Sequence, residues 1–517
     1  MKVISPLGAN ALITQPEGLR LDVPMPNKLS SKRNPESLPL LISGKWGESK
    51  SQDLHEVFNP AEGRVIGSVP FSTREEVTQA VGAANDAFAS WSSLPMTDRI
   101  QFLFRMKEVL ELHAKEIAIL NTENHGKTLE ESRGDVRRTI ENVESAISIA
   151  YTLAKGSNLD QISPGIDEAM VKEPLGVFAI VCPFNFPVMI PFWFLPYALV
   201  LGDTVVVKPS EITPVPMQKV AALIQEEVGL PAGVLNLVHG GPDVVETLIS
   251  RPETKGVTFV GSTAVARRVY RIAGENGKRA IVNGGAKNSI VVMPDADVNQ
   301  SIPSIVSSFF GNTGQRCLAG ANLVVVARGE GRLLDKFSKA ASALRIGNGL
   351  SPGTEMGPLV TRSAKERVRE YVQKGIDEGG KLVLDGRNAK VEEFPSGFYL
   401  GSTILDDVSP TMSVAQHEVF GPLASVIHVE TLDEALDIVN NSTNYGNMAS
   451  IFTSSGRMAR EFRRRANAGN IGINIGVAAP SAFFPFGGMR DSFFGVAHPQ
   501  ADTVDFFTDR KVILSRW

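Results

Sequence analysis

The sequence predicts an α/β protein with two doubly wound lobes, and three observations predict it. Short β-branched runs alternate with stretches of helical periodicity from about residue 177 onward. A second series of the same kind follows, from about 286 to 480. At 517 residues, 43% of them apolar, the chain exceeds what one packed core holds.

In chain order, residues 1–36 carry Pro6, Pro16, Pro24, Pro26 and Pro35 with little periodicity, so they read as an N-terminal arm. Globular sequence begins near Leu38. A helix is expected over 73–91, where Thr73 and Glu76 have capping-box spacing and Val77, Val81, Ala84, Phe88 and Trp91 make an apolar stripe. A second helix starts at Thr97, and a third is expected over 134–153. Then come Val177-Phe178-Ala179-Ile180-Val181, Thr204-Val205-Val206-Val207, Val234-Leu235-Asn236-Leu237-Val238, Val257-Thr258-Phe259-Val260 and Ala280-Ile281-Val282. One crossover helix separates each from the next, as in a parallel sheet. The helix over 213–228 is expected to open with Thr213 as cap and Pro214 at its first position, and to stop at Gly229. In the second lobe, Leu323-Val324-Val325-Val326 reads as a strand and 363–378 as a helix.

Composition excludes several functions. With 52 basic and 56 acidic residues the net charge is −4, which gives no broad field for nucleic acid or anionic lipid. Only Cys182 and Cys317 carry thiols, so no disulfide framework is expected and a reducing cytoplasm is the natural compartment. The N-terminal apolar stretch is broken by Pro6, Asn10, Gln15 and Pro16 before a signal-peptide core forms. Pro191 and Pro196 interrupt the most apolar stretch, 188–201, which is too short for a membrane span. The chain therefore reads as soluble, with no membrane partner. The histidines show no ligand spacing, Asp295 and Asp297 read as turn residues, and no metal is expected. Arg463-Arg464-Arg465 reads as a solvated helix face.

Cys317 lies in Gly314-Gln315-Arg316-Cys317, and Asn185 lies in the apolar turn Pro183-Phe184-Asn185-Phe186-Pro187. A thiol and a distant amide donor are what a thiohemiacetal mechanism requires, although a single cysteine can equally be a small buried hydrophobe. The dinucleotide fingerprint Gly-x-Gly-x-x-Gly is absent. Gly261-Ser262-Thr263 instead stands at a strand end before a helix, where it serves either as an ordinary N-cap or as a pyrophosphate cradle. Lys208-Pro209-Ser210-Glu211 ends another strand. It is either a surface turn or a ribose-binding pair whose carboxylate would repel a 2′-phosphate and so favour NAD over NADP.

These motifs, followed by Glu418-Val419-Phe420-Gly421-Pro422, occur in the order seen in the aldehyde dehydrogenase superfamily, which the chain resembles over nearly all of its length after the first 35 or so residues. The resemblance implies that fold, with an NAD-binding domain over 37–153 and 174–285 and a catalytic domain over 286–485. It also implies a small β oligomerisation element over 154–173 and 498–517, and a homo-oligomer, dimer or tetramer. It makes Cys317 the nucleophile and Asn185 the oxyanion donor. To the cofactor NAD it assigns Cys182, Phe184, Lys208, Glu211, Ser262, Gly284, Glu418 and Phe420.

One departure narrows the expectation. Hydrolytic members carry a general-base glutamate before Leu-Gly-Gly-Lys, whereas this chain reads Asn283-Gly284-Gly285-Ala286-Lys287-Asn288, and an amide cannot take a proton from water. An acyl-enzyme without that base would wait for a better nucleophile, such as the thiol of coenzyme A. The Gly-Ala-Lys-Asn segment and Phe483-Phe484-Pro485-Phe486-Gly487-Gly488 resemble the CoA-acylating methylmalonate-semialdehyde dehydrogenases. That resemblance implies a short anionic semialdehyde as substrate, its carboxylate held by Arg138 and Arg316, with Arg316 also favouring the Cys317 thiolate. Read alone, Arg138 is a solvated helix residue. The alternative substrate is another anionic aldehyde, sulfonated or phosphonated, hydrolysed to the free acid. Ala266, Ile212 and Met489 depart from the common pattern without removing a catalytic group.

Overall fold

A computed structural model describes residues 37–327 and 332–517. The N-terminal arm expected over 1–36 lies outside the described residues.

The first sheet has the strand order Lys45–Gly47, Leu40–Ile42, Leu235–Leu237, Thr204–Lys208, Val177–Val181, Thr254–Val260, Arg279–Asn283, Phe493–Phe494. The middle strands are parallel and both edges are antiparallel. Residues of Val177–Val181 alternate between two cores, as period-2 geometry requires. Phe178 and Ile180 join the core that holds Trp91, Leu103, Val143 and Tyr197. Val177, Ala179 and Val181 face Val81, Leu248 and Val269. Helices on both faces leave no polar side to this sheet, which is why its strands read as unbroken apolar runs.

The second sheet has the order Lys381–Leu384, Thr403–Asp406, Leu423–Val429, Gly320–Val326, Asn288–Val292, Met448–Phe452, Asn470–Ile473, parallel except for its first strand. It too is packed on both faces, with Val291 and Val324 on one side and Ile290 and Leu323 on the other. A third, antiparallel sheet joins Ser157–Ser163 and Ile166–Pro174 to the C-terminal strand Thr508–Arg516. The segment before that strand is different in kind. Thr503–Phe507 is helical, and Phe506 and Phe507 pack on Phe178 in the first lobe.

Two helix starts differ from the sequence reading. The third long helix is Leu129–Thr152, one turn earlier than expected, because Thr128 and Glu131 close a capping box. The helix expected over 213–228 is Val215–Leu223, followed by a π-helical turn, Ile224–Val228, that ends at left-handed Gly229. Pro214 occupies the cap position, and Thr213 instead donates from Oγ1 to the Phe184 carbonyl at 3.0 Å, tying this corner to the Asn185 turn. Asp297 caps the helix Val298–Phe310 through the Gln300 N–H, and Asp295 accepts from the Thr453 hydroxyl, so both act as structural acceptors. Asp406, Asp407 and His428 come together in the second lobe, a grouping that no sequence spacing announces; His428 Nε2 lies 2.7 Å from Asp406.

Thr128→Ala removes the cap oxygen that accepts the Glu131 N–H at 3.2 Å. The expected loss is about 1 kcal/mol, read as a lower midpoint of the first unfolding transition in urea.

Candidate active site

In the first sheet the chain runs from Val177–Val181 outward to Thr204–Lys208 and Leu235–Leu237, then returns to Thr254–Val260 on the other side. Strand order reverses there, and open α/β sheets bind ligands outside the carboxyl ends of strands at such a point. A cleft of about 460 Å³ opens at that place, lined by Cys182, Phe184, Asn185, Lys208, Glu211, Ser262, Gly284, Cys317, Glu418 and Phe420 among others. Residues separated by more than 200 positions thus meet around one space.

Lys208 is buried at the end of its strand and donates to the Glu211 carboxylate at 3.1 Å and to the Gly240 carbonyl at 2.8 Å. Glu211 is more exposed, which leaves its second oxygen to a ligand. Ser262 stands at the N-cap of Thr263–Glu275, yet its hydroxyl makes no cap bond. The hydroxyl and the first N–H groups of the helix therefore do not cap each other, at a position that lines the cleft. Phe184 and Phe420 meet edge to face, centroids 5.7 Å apart. Cys182 is buried, and burial pushes its thiol up to about 12, which makes it a wall residue.

Cys317 follows three consecutive left-handed residues, Asn312, Thr313 and Gly314. Such a run is costly for side-chain-bearing residues and persists only where surroundings enforce it. At Gly314 an added Cβ would meet the Gly421 carbonyl, so the loop that carries Cys317 is pressed against Gly421-Pro422. The Cys317 carbonyl accepts from Asn288 Nδ2 at 2.8 Å and Asn447 Nδ2 at 2.9 Å. Asn185 Nδ2 donates to the Gln315 carbonyl at 3.2 Å, and its second N–H remains for the cleft.

The thiol is not pre-ionised. Burial first, then the Glu418 carboxylate, push Cys317 up to about 12. Its own N–H, that of Leu318 and the Arg316 charge pull the other way and lose. The expectation that Arg316 favours the thiolate is right in direction, but burial and Glu418 outweigh it; Arg316 is itself paired with Glu131 at 3.0 Å. Burial also lifts the Glu418 carboxyl to about 7, against pulls from the Ala286 N–H, Lys287 and Arg367. Desolvation brings Lys287 down to about 7, with Glu418 resisting. Gly285 lets this carboxylate in: a Cβ there would be 2.4 Å from Glu418 Oε2. Gly284 beside it lines the cleft and donates to the Ser492 carbonyl at 3.0 Å. Asn283 ends its strand buried, with its amide nitrogen unpartnered.

A second, smaller chamber of about 80 Å³ meets the first at Cys317 and is lined by Arg138, Asn142, Phe186, Trp193, Arg316 and Phe486 among others. Both expected arginines border it. Arg138 bonds Glu141 at 2.8 Å and is 40% exposed, so it is neither a free surface residue nor a buried one.

Sequence reading missed the groups behind these walls. Lys127 and Asp135, both with no exposed side-chain area, pair at 3.1 Å; Lys127 donates to the Asn185 carbonyl at 2.7 Å and Asp135 accepts the Met189 N–H at 2.8 Å. Glu131 was legible as a capping-box residue from Thr128-x-x-Glu131, but its reach to Arg316 was not.

The family model described as aldehyde dehydrogenase family matches residues 46–513. The chain belongs to the aldehyde dehydrogenase family. Among curated relatives of this family member, a malonate-semialdehyde dehydrogenase of Geobacillus kaustophilus is 44% identical over 477 residues, covering 92% of this chain and 97% of that protein. The crystal structure of a methylmalonate-semialdehyde dehydrogenase from Oceanimonas doudoroffii superposes with a TM-score of 0.91 at 40% identity, covering 93% of this chain and 98% of the other. A Sinorhizobium meliloti structure, assigned as a methylmalonate-semialdehyde dehydrogenase and solved with NAD, gives a TM-score of 0.92 at 36% identity, covering 94% and 99%. Among the described residues no helix is long and apolar enough to cross a membrane.

Gly314→Ala is expected to lower turnover at least about 100-fold while the fold persists, since the methyl group must displace the loop that carries Cys317; initial rates beside circular dichroism check it. A pH effect follows from Glu418, whose folded value of about 7 lies above an ordinary 4.5. Its protonated form stabilises the fold fully below about 4.5, and the contribution is lost as pH rises through about 7. The melting temperature of Glu418→Gln should therefore gain on wild type across that window, measured in matched buffers.

Proposed function

We propose that this aldehyde dehydrogenase uses NAD to oxidise a short acidic semialdehyde, malonate or methylmalonate semialdehyde, and transfers the acyl group to CoA. The observation that carries the reading is the meeting of two unlike chambers at one sulfur: an elongated cleft on one side and a small arginine-bordered pocket on the other. The names of the relatives support the substrate class, and the Sinorhizobium meliloti complex supports NAD.

The residues of the cleft fit NAD. Lys208 and Glu211 suit the adenosine ribose, Ser262 with the helix start behind it suits the pyrophosphate, and Glu418 with Phe420 suits the second ribose. NAD supplies the hydride acceptor. Ionisation of Cys317 needs more stabilisation than Arg316 and the Cys317 and Leu318 N–H groups provide, and a bound cationic cofactor would add positive charge to the cleft that Cys317 lines.

The chain's own residues do the remainder. Arg138 and Arg316 hold the substrate carboxylate, which brings the aldehyde carbon to Cys317. Sulfur adds to that carbon, and the oxyanion meets the spare Asn185 amide N–H and the Cys317 N–H. Loss of hydride leaves a thioester on Cys317. A 3-oxo acid then loses CO2 from the thioester, and a proton replaces it. The CoA thiolate attacks the acyl carbon and expels Cys317, giving acetyl-CoA, or propionyl-CoA from the methyl homologue. Asn283 offers no base for water, which slows the competing hydrolysis.

One observation favours a second reading, hydrolysis of another anionic aldehyde such as a sulfonated or phosphonated one. Glu418 is a carboxylate near the sulfur, held at about 7, and could take the proton of water. Without CoA, NADH formation from malonate semialdehyde should stop after about one equivalent per site and resume on adding CoA. Steady turnover to free acid without CoA would remove the CoA route.

The C-terminal strand and the residue after it leave Val512, Leu514 and Trp517 exposed, in a sheet whose other edge is the wholly exposed Ser157–Ser163 strand. Such a surface suits burial in a homo-oligomer, dimer or tetramer. Val512→Asp with Leu514→Asp should shift the protein toward monomer in sedimentation velocity. A reducing cytoplasm is the compartment that suits a chain with only two thiols, Cys182 and Cys317. For the substrate chamber, Arg138→Gln or Arg316→Gln should raise KM for malonate semialdehyde about 10- to 100-fold and leave KM for propanal nearly unchanged.

A further inference from the structure

Glu131 is bonded in a way its local motif does not require. In a capping box the glutamate turns back to the cap residue, and Glu131 Oε2 does so, accepting the Thr128 N–H at 3.0 Å and its hydroxyl at 3.1 Å. Oε1 points away from the helix to the nucleophile loop. It accepts the Asn312 N–H at 2.5 Å and Arg316 Nη2 at 3.0 Å. The pair is largely withdrawn from solvent, with side chains 19% and 17% exposed, so it is screened less than a surface ion pair.

The charges around it are matched. Lys127 feels both Glu131 and Arg316 and is neutralised by Asp135 at 3.1 Å. Arg138, across the small chamber, pairs with Glu141 at 2.8 Å. Among the described residues the side-chain charges that act on the Cys317 thiol are those of Glu418 and Arg316, and Lys287 lines the space beside Glu418. A chamber bordered by two arginines therefore carries little net positive charge. An incoming anion must share Arg316 with a carboxylate already there.

We propose that Glu131 is a positioning and specificity-determining residue: it fixes the Arg316 guanidinium beside Cys317 and cancels most of its charge, so that a monoanionic carboxylate is selected by geometry and multiply charged anions are not trapped. The substrate side of this inference rests on the semialdehyde reading above; the effect on the thiol does not. Guanidinium presents five donors in a planar fork, so Arg316 keeps N–H groups for a ligand while Nη2 stays on Glu131. A carboxylate substrate can use those donors. A dianion gains little more, because the second charge finds no uncompensated partner.

The test is E131Q, whose amide oxygen can still accept the Asn312 N–H while its charge is gone. Three results are expected. KM for malonate semialdehyde falls roughly three- to tenfold while KM for propanal stays within about twofold. Inhibition by malonate dianion or inorganic phosphate strengthens about tenfold. Alkylation of Cys317 by iodoacetamide at pH 7, without substrate or NAD, speeds roughly three- to tenfold because Arg316 is no longer cancelled.

A purely structural role would raise KM for both aldehydes and slow alkylation, and either result overturns the proposal. E131D keeps the charge on a shorter arm and should retain the wild-type ratio of KM values even if the protein is less stable; a ratio like that of E131Q would also overturn it. In an R316Q background, E131Q should no longer change alkylation or phosphate inhibition. If R316Q alone leaves the anionic-to-neutral KM ratio unchanged, the carboxylate reading fails, while the alkylation result still decides the role of Glu131.

Discussion

Two side chains without exposed area, Lys127 and Asp135, sit behind the cleft and hold the turn over 185–189 at both ends. Lys127 grips the Asn185 carbonyl, and Asp135 grips the Met189 N–H four residues on. Burying both charges costs several kcal/mol per ion unless each is fully bonded, and here each is: Asn121 donates to Asp135, and Lys127 also lies over the Phe186 ring at 4.2 Å. Such a pair contributes little to net stability. What it supplies is a single position for the turn, so the Asn185 amide is held against the Cys317 loop, where it donates to the Gln315 carbonyl.

The same economy governs the rest of the site. Charged groups that chemistry would use are held beside opposite charges: Arg316 by Glu131, Arg138 by Glu141, Lys208 by Glu211, and Lys287 near Glu418. The thiol sits among them un-ionised.

Much of this was legible in the chain. The parallel runs around Val177, Thr204 and Val257 read as strands because burial on both faces leaves no polar alternation to mislead the eye. Cys317, Asn185, Lys208, Glu211, Ser262 and Glu418 were marked by motif and by position at strand ends, and the structure brings them around one cleft. The errors have local causes. The third helix begins at Leu129, a turn before the expected 134, because the Thr128 and Glu131 capping box starts it there. Thr213 has the chemistry of a cap, but the Phe184 carbonyl offered its hydroxyl a better partner.

By itself the sequence determined the architecture and marked the residues that line the cleft, because periodicity, caps and short motifs around Cys317 and Asn185 are properties of short segments. Only the tertiary structure decided their state: a thiol pushed up to about 12, an arginine already paired, a carboxyl lifted to about 7. Those quantities depend on how far water is excluded and on which charges lie within a few ångströms. Asn312 and Arg316 stand 181 and 185 positions from Glu131, and no local pattern encodes that approach.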